Sequence, residues 1–210
     1  MTEIRCTSAS TVVLAGAVLP GAMRLVRHAA GVGLLADAPV GDVLDLALLR
    51  RVASRAAAAG VGAEPALALL ALPEDPDPSL LAACIDRLDG ALTGSPQPAT
   101  ALPELAAVYG DAFLGTLVGI SPASLRRYVA RERAVPDPVA ARIHFLALVT
   151  ADLAGTWNAY GLRRWWDRPR TALGGRTPRA ALGERWDPDE RDAQAVAALA
   201  AALVGPAVAT

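Results

Sequence analysis

The chain has no lysine: all twenty of its basic residues are arginine. With the excess of alanine this points to a GC-rich coding sequence and says nothing of function. Cysteine is nearly absent. Cys6 and Cys84 are too few and too far apart in sequence for a disulfide framework or a metal knuckle, which fits a reducing cytoplasm. Neither His28 nor His144 has Cys, Asp or Glu at ligand spacing, so no metal or other cofactor is expected. No run is long enough to span a membrane. The apolar stretch "AVAALAAALVG" (195–205) makes a helix of only about 16 Å, against the ~30 Å of a bilayer core. "TVVLAGAVLPGA" (11–22) has the character of a signal-peptide core, but Glu3 cancels Arg5, and a chain that opens on Met1 is expected to be uncleaved and cytoplasmic.

Large net charge is also missing. A formal charge of −1 argues against indiscriminate coating of nucleic acid, yet it hides an asymmetry. Residues 1–100 carry seven Arg against ten acids, and residues 101–210 carry thirteen Arg against eleven. A polyanion-binding surface, if there is one, belongs to the second half. What the chain has in quantity is apolar surface: 53% of its 210 residues are hydrophobic, enough for one large or two small cores.

Periodicity predicts a mainly α-helical protein. "STVVLAGAVL" (10–19) is ambiguous between a strand and a buried helix. A helix is expected over Gly41–Ala59, with Val43, Leu44, Leu46, Leu48 and Val52 recurring and Gly60 ending it. A second follows Asp77, with Pro78 in the first turn and a stripe of Leu80, Leu81, Cys84, Ile85, Leu88 and Leu92. "GSPQPATALP" (94–103) has no apolar period and reads as a domain boundary. The expected organisation is a mostly helical domain of unknown function over 1–98, a helix-turn-helix domain over 99–160 and a small helical domain over 161–210.

The stretch "DAFLGTLVGISPASLRRYVA" (111–130) carries the first mechanism. Two helices that cross closely need a small residue in the first, a glycine in the turn and apolar residues at fixed offsets. Gly115, Gly119 and the set Leu114, Val118, Ile120, Leu125 and Tyr128 supply them. Ser121 is the expected N-cap and Pro122 the first helical residue. The second helix then presents Ala123, Ser124, Arg126 and Arg127, with Arg131 one turn on and Arg133 beyond. Guanidinium forks there suit guanine edges or phosphates. The plain alternative is a packed helix pair with a solvated arginine face. A long helix is expected next, from Val139 to about Tyr160, bracing this pair and offering a dimer interface.

"GLRRWWDRPRTALGGRTPRAALGERW" (161–186) reads as helix, tight loop, helix. Pro169 stops the first helix, Gly174 and Gly175 turn the chain, and Thr177 with Pro178 starts a short helix that ends near Gly183. Trp165 or Trp166 fills the angle between them. This segment resembles the toxin-binding domain of antitoxins of the Xre/MbcA/ParS type. That family's pattern is a tryptophan, a proline, a Leu-Gly-Gly-x-x-Pro turn and a short helix ending in leucine. Here it is matched by Trp165, Pro169, Leu173, Gly174, Gly175, Pro178 and Leu182. Trp166 stands where the family has leucine, and the helix-turn-helix precedes the domain, as in the family.

The resemblance covers roughly residues 101–205 and leaves 1–100 unexplained. It implies a dimeric, non-enzymatic regulator that binds double-stranded operator DNA and sequesters a RES-type, NAD-degrading toxin. The helix from about Pro188 to Val204 and the tail "GPAVAT" would cover the toxin's pocket. Three other readings stay open: a helix-turn-helix regulator or adaptor without a toxin, its first domain sensing, dimerising or binding protein; a scaffolding protein; and an enzyme. "GVGLLA" (31–36) fits a dinucleotide GxGxxA formally, but Asp37–Pro39 ends the segment where a helix is required.

Overall fold

The structure, a computed structural model, describes residues 8–9, 18–36 and 43–203. Among the described residues the protein is mainly α-helical, with eleven α-helices and one two-stranded parallel pair. The chain divides between Pro96 and Gln97 into two compact units.

In the first unit β1 (Ser8–Ala9) pairs with β2 (Val43–Leu44). Four helices complete it: α1 (Val18–Gly31) lies between the two strands, and α2 (Leu46–Ala58), α3 (Ala63–Leu70) and α4 (Pro78–Thr93) follow β2. α1 packs on α4, and α3 packs on both α2 and α4, around Leu25, Leu49, Val52, Leu69, Ile85 and Leu88. The helix expected from Gly41 begins only at Leu46, because the Asp45 carboxylate accepts the Leu48 N–H at 2.8 Å and places the cap there. Val43 and Leu44 are strand. α4 starts as its sequence indicates, with Asp77 accepting from Ser79 and Leu80. Leu80 itself leaves the expected apolar stripe and is 52% exposed. The stretch 10–17, part of the strand-or-helix ambiguity, lies outside the described residues, and Val18 and Leu19 open α1. Gly31 closes that helix and Val32–Ala36 form turns, so the GxGxxA match follows a helix and lacks the strand that a dinucleotide loop needs.

A polar cluster, buried at His28 and Asp89 and open to solvent at Arg24 and Asp86, ties α1 to α4. His28 Nδ1 lies 2.7 Å from Asp89 Oδ1, and Arg24 donates to Asp89 Oδ2 and to Asp86 Oδ1, each at 2.8 Å. Burial pushes the Asp89 carboxyl up, but the hydrogen bonds and charges of His28 and Arg24 outweigh it and hold the group below its ordinary value.

The second unit holds α5 (Pro98–Tyr109), α6 (Asp111–Val118), α7 (Pro122–Val129), α8 (Asp137–Ala154), α9 (Ala159–Trp165), a 3-10 turn (Thr171–Leu173), α10 (Pro178–Leu182) and α11 (Arg191–Ala202). α8 is its axis, packed by α5, α6, α9 and α11. Ile143, Phe145, Leu146, Val149, Ala151 and Leu153 are buried around its circumference, in the core of the unit.

Three expectations change here. The proline-rich stretch read as a domain boundary does hold the division between the two units, but its second part is helical: Pro98 takes the first turn of α5, and Pro103 sits inside the helix, where its missing N–H leaves the Ala99 carbonyl without its usual donor. The long helix expected to reach Tyr160 stops at Ala154. Asn158 then caps α9, accepting the Gly161 N–H at 2.9 Å. Trp157 lies in the connection, so close over Gly161 that a Cβ there would come within 2.9 Å of the ring. Finally, residues 99–160 and 161–210 form one body, because α9 packs on α5 and α11 on α8.

Candidate nucleic-acid interface and tryptophan corner

α6 and α7 are joined by Gly119, Ile120 and Ser121. Gly119 adopts φ +78°, which L side chains avoid, and a Cβ there would also run into the Glu184 carbonyl. At Gly115 a Cβ would stand 2.9 Å from the Ile120 carbonyl, which is why the first helix needs a small residue at its crossing. Leu114, Val118, Leu125 and Tyr128 are buried between the two helices and α5, and Ile120 is half-buried. Ser121 Oγ accepts the Ser124 N–H at 3.1 Å and Pro122 fills the first turn, so the start of α7 is fixed by local chemistry.

The outer side of α7 exposes Ala123, Arg126 and Arg127, with Ser124 half-buried. Arg126 reaches Asp111 at 3.5 Å, a loose surface pair. Arg127 has no carboxylate partner among the described residues. Arg131 and Arg133 are exposed but do not continue the helix, which ends at Val129. Arg131 turns the chain at φ +58°, so these two arginines stand in the loop before α8 and not one turn further along α7.

The C-terminal carbonyls of α6 are closed by partners that local sequence reasoning misses. Trp186 donates from Nε1 to the Leu117 carbonyl at 2.9 Å, and Arg142 donates to the Val118 carbonyl at 3.2 Å and to the Trp186 carbonyl at 2.6 Å. Trp186 meets Phe145 edge-on at 4.9 Å. A tryptophan four residues beyond Leu182, outside any helical period, was the only sequence signal.

The corner is built on an edge-to-face tryptophan pair and a buried hydrogen-bond chain. Trp165 and Trp166 meet at 5.0 Å with their planes at 89°, and both are buried. Trp166 Nε1 donates to Tyr109 Oη at 3.1 Å, Tyr109 Oη lies 2.9 Å from Thr150 Oγ1, and Thr150 donates to the Leu146 carbonyl at 2.6 Å. Burial pushes the Tyr109 phenol above its ordinary value, keeping it neutral within this chain. The loop closes on itself: Arg170 N donates to the Arg176 carbonyl and Gly175 N to the Arg170 carbonyl, each at 3.0 Å. Gly174 and Gly175 both adopt positive φ there, and Thr177 caps α10 through the Ala180 N–H at 3.1 Å. Arg170 lies over the Trp165 ring at 5.4 Å, and burial followed by the nearby Arg168 charge lowers its pKa. Arg176 grips Asp192 of α11 with two bonds of 2.6 and 2.9 Å.

Of the residues expected to contact a partner, Trp165, Trp166, Leu173, Pro178 and Leu182 are buried within the unit. They shape the corner and do not reach outward, which settles Trp166 as a core residue. Pro169, Gly174 and Gly175 are exposed. The last helix starts at Arg191 instead of near Pro188, because Asp187–Glu190 form a turn first, and Val204 with the tail 205–210 lies outside the described residues. Among the described residues no helix is long and apolar enough to cross a membrane, and no group of His, Cys, Asp or Glu is arranged to hold a metal ion. Comparison with protein-family models, curated proteins and solved structures gives no match to this chain.

Proposed function

We propose that this protein is a DNA-binding transcriptional regulator of the Xre/MbcA/ParS antitoxin type, acting in the cytoplasm as a homodimer. It sequesters a RES-type, NAD-degrading toxin, represses its own operon and catalyses no reaction itself. The observation that carries this reading is an order of elements: a tight α6–turn–α7 pair with exposed Arg126 and Arg127, then a Trp-Pro-Leu-Gly-Gly-Pro corner in the same compact unit. The pair has the build of a helix-turn-helix whose second helix enters the major groove. Its arginines offer forks for phosphate or guanine. In this reading the buried tryptophans hold the exposed Gly174–Gly175 turn and α11 in place, and those outer surfaces meet the toxin.

The first unit favours a second reading. Its α1–α4 packing and internal His28–Asp89–Arg24 cluster form a module that the antitoxin resemblance does not cover. A regulator or adaptor with a sensing or dimerising domain and no toxin accounts for it. Co-expression with each adjacent reading frame, followed by pull-down and measurement of cellular NAD, separates the two. A complex that restores NAD supports the antitoxin. DNA binding without any such complex supports the second reading, and absence of both overturns each.

A further inference from the structure

A groove of about 350 Å³ opens in the second unit between the first turns of α6 and the length of α9. Phe113 and Tyr160 wall it, and Arg163, Arg164, Asp167 and Arg168 complete its lining. Its charge is unbalanced. Arg163 donates to the Val108 carbonyl at 2.7 Å and Arg164 to Tyr160 Oη at 3.0 Å, both neutral acceptors. Arg168 has no side-chain partner among the described residues. The carboxylate on the wall, Asp167, is held at 2.8 Å by Arg179, which also lies over the Phe113 ring at 5.6 Å. Three guanidinium groups thus line one opening beside a single carboxylate, Asp167, which is paired with Arg179.

We propose that this groove is a clamp for the phosphodiester backbone of duplex DNA, extending the contact made by α7. The inference rests on the reading of α6–α7 as a DNA-reading pair. It adds a second, separate set of contacts supplied by α9 and the turn that follows it. Three points favour phosphate. Guanidinium forks pair with phosphate oxygens through two parallel N–H bonds. The lining sets three guanidinium groups beside two aromatic rings, Phe113 and Tyr160, in one groove of about 350 Å³. It also adjoins the recognition face: Asp111, which pairs with Arg126 of α7, and Phe113, which lines the groove, share the first turn of α6. In a helix-turn-helix complex the first helix crosses the DNA backbone, so a strand followed from α7 passes this turn. Asp111 is itself acidic and is paired loosely with Arg126 at 3.5 Å. Arg164 stays over the Tyr160 ring at 5.7 Å, which pre-positions its fork.

The test is fluorescence anisotropy with the full chain and a labelled duplex spanning the DNA immediately upstream of its own coding sequence, titrated over a salt series. Each phosphate contact contributes about 0.9 to the slope of log K against log salt, so R164A/R168A is expected to flatten the slope by roughly 1 to 2. R164K/R168K keeps the charges and is expected to restore it. Arg168→Gln removes no intramolecular bond and keeps the test valid if the double variant fails to fold. An unchanged slope in a folded variant overturns the clamp and leaves the α7 reading standing. Binding that R126A/R127A leaves unchanged in affinity and salt slope overturns the α7 reading, and with it the clamp as an extension of that contact. A wild-type chain that binds no duplex at any salt overturns both.

Discussion

Trp186 donates its indole N–H to the Leu117 carbonyl 2.9 Å away, joining residues 69 positions apart in sequence. The bond closes the end of α6, next to the turn on which the orientation of α7 depends. Helix ends leave four carbonyls without intrahelical donors, and burial makes an unmet one costly. Trp186→Phe keeps most of the ring and removes the donor. It is expected to destabilise the protein by about 1–3 kcal/mol, seen as a lower denaturant midpoint. A midpoint equal to wild type would show that water replaces the indole.

Gly119→Ala tests the turn itself. The substitution meets a positive φ and, independently, the Glu184 carbonyl. Each is a named source of strain, and together they are expected to cost about 2 kcal/mol or more, seen as a lower denaturant midpoint. Gly174→Ala, at φ +64° but with open space around it, is expected to cost about 1 kcal/mol. Equal losses at the two sites would refute the steric part of this argument.

The tryptophan corner gives a paired test. Trp166→Phe and Tyr109→Phe each break the indole-to-phenol bond, and Tyr109→Phe also removes the Thr150 contact. The double variant is expected to lose less than the sum of the singles, with a coupling of about 1 kcal/mol. Strict additivity would mean that the bond carries no net stabilisation.

Asp89 sets a pH dependence for the first unit. Its folded pKa lies below the ordinary value of 3.8, so the unfolded chain takes up the proton first as the solution is acidified. The stabilisation is therefore complete above about pH 4 and is lost as pH falls through the folded value. Denaturant midpoints between neutral and acid pH are expected to drop for wild type and to drop less for Asp89→Asn, which starts lower. Parallel curves would remove Asp89 from the account.

Much of this molecule is legible in its sequence wherever a side chain acts on backbone two or three residues away. Asp77, Ser121 and Thr177 each cap a helix whose first turn holds a proline, and all three starts follow from those pairs alone. Gly119 and the two glycines of the corner were readable for the same reason: the backbone angle is a property of one residue. What stayed hidden depends on distant partners. The apolar pattern runs on past Ala154 because Trp157 packs locally over Gly161, yet the Asn158 cap ends that continuity. Pro98 and Pro103 mark a boundary in sequence, and that they lie within a helix shows only once α5 packs on α8. Arg142 reads as a surface charge and spends its donors on two carbonyls, one of them on Trp186. In the groove the residues were visible, but their shared opening was not, since Phe113 and Arg168 are brought together only by the fold.

The passage of the Glu184 backbone over Gly119 makes the two ends of this unit one thermodynamic object. A molecule that binds only the folded corner raises the free energy needed to open the α6–α7 turn, by mass action alone.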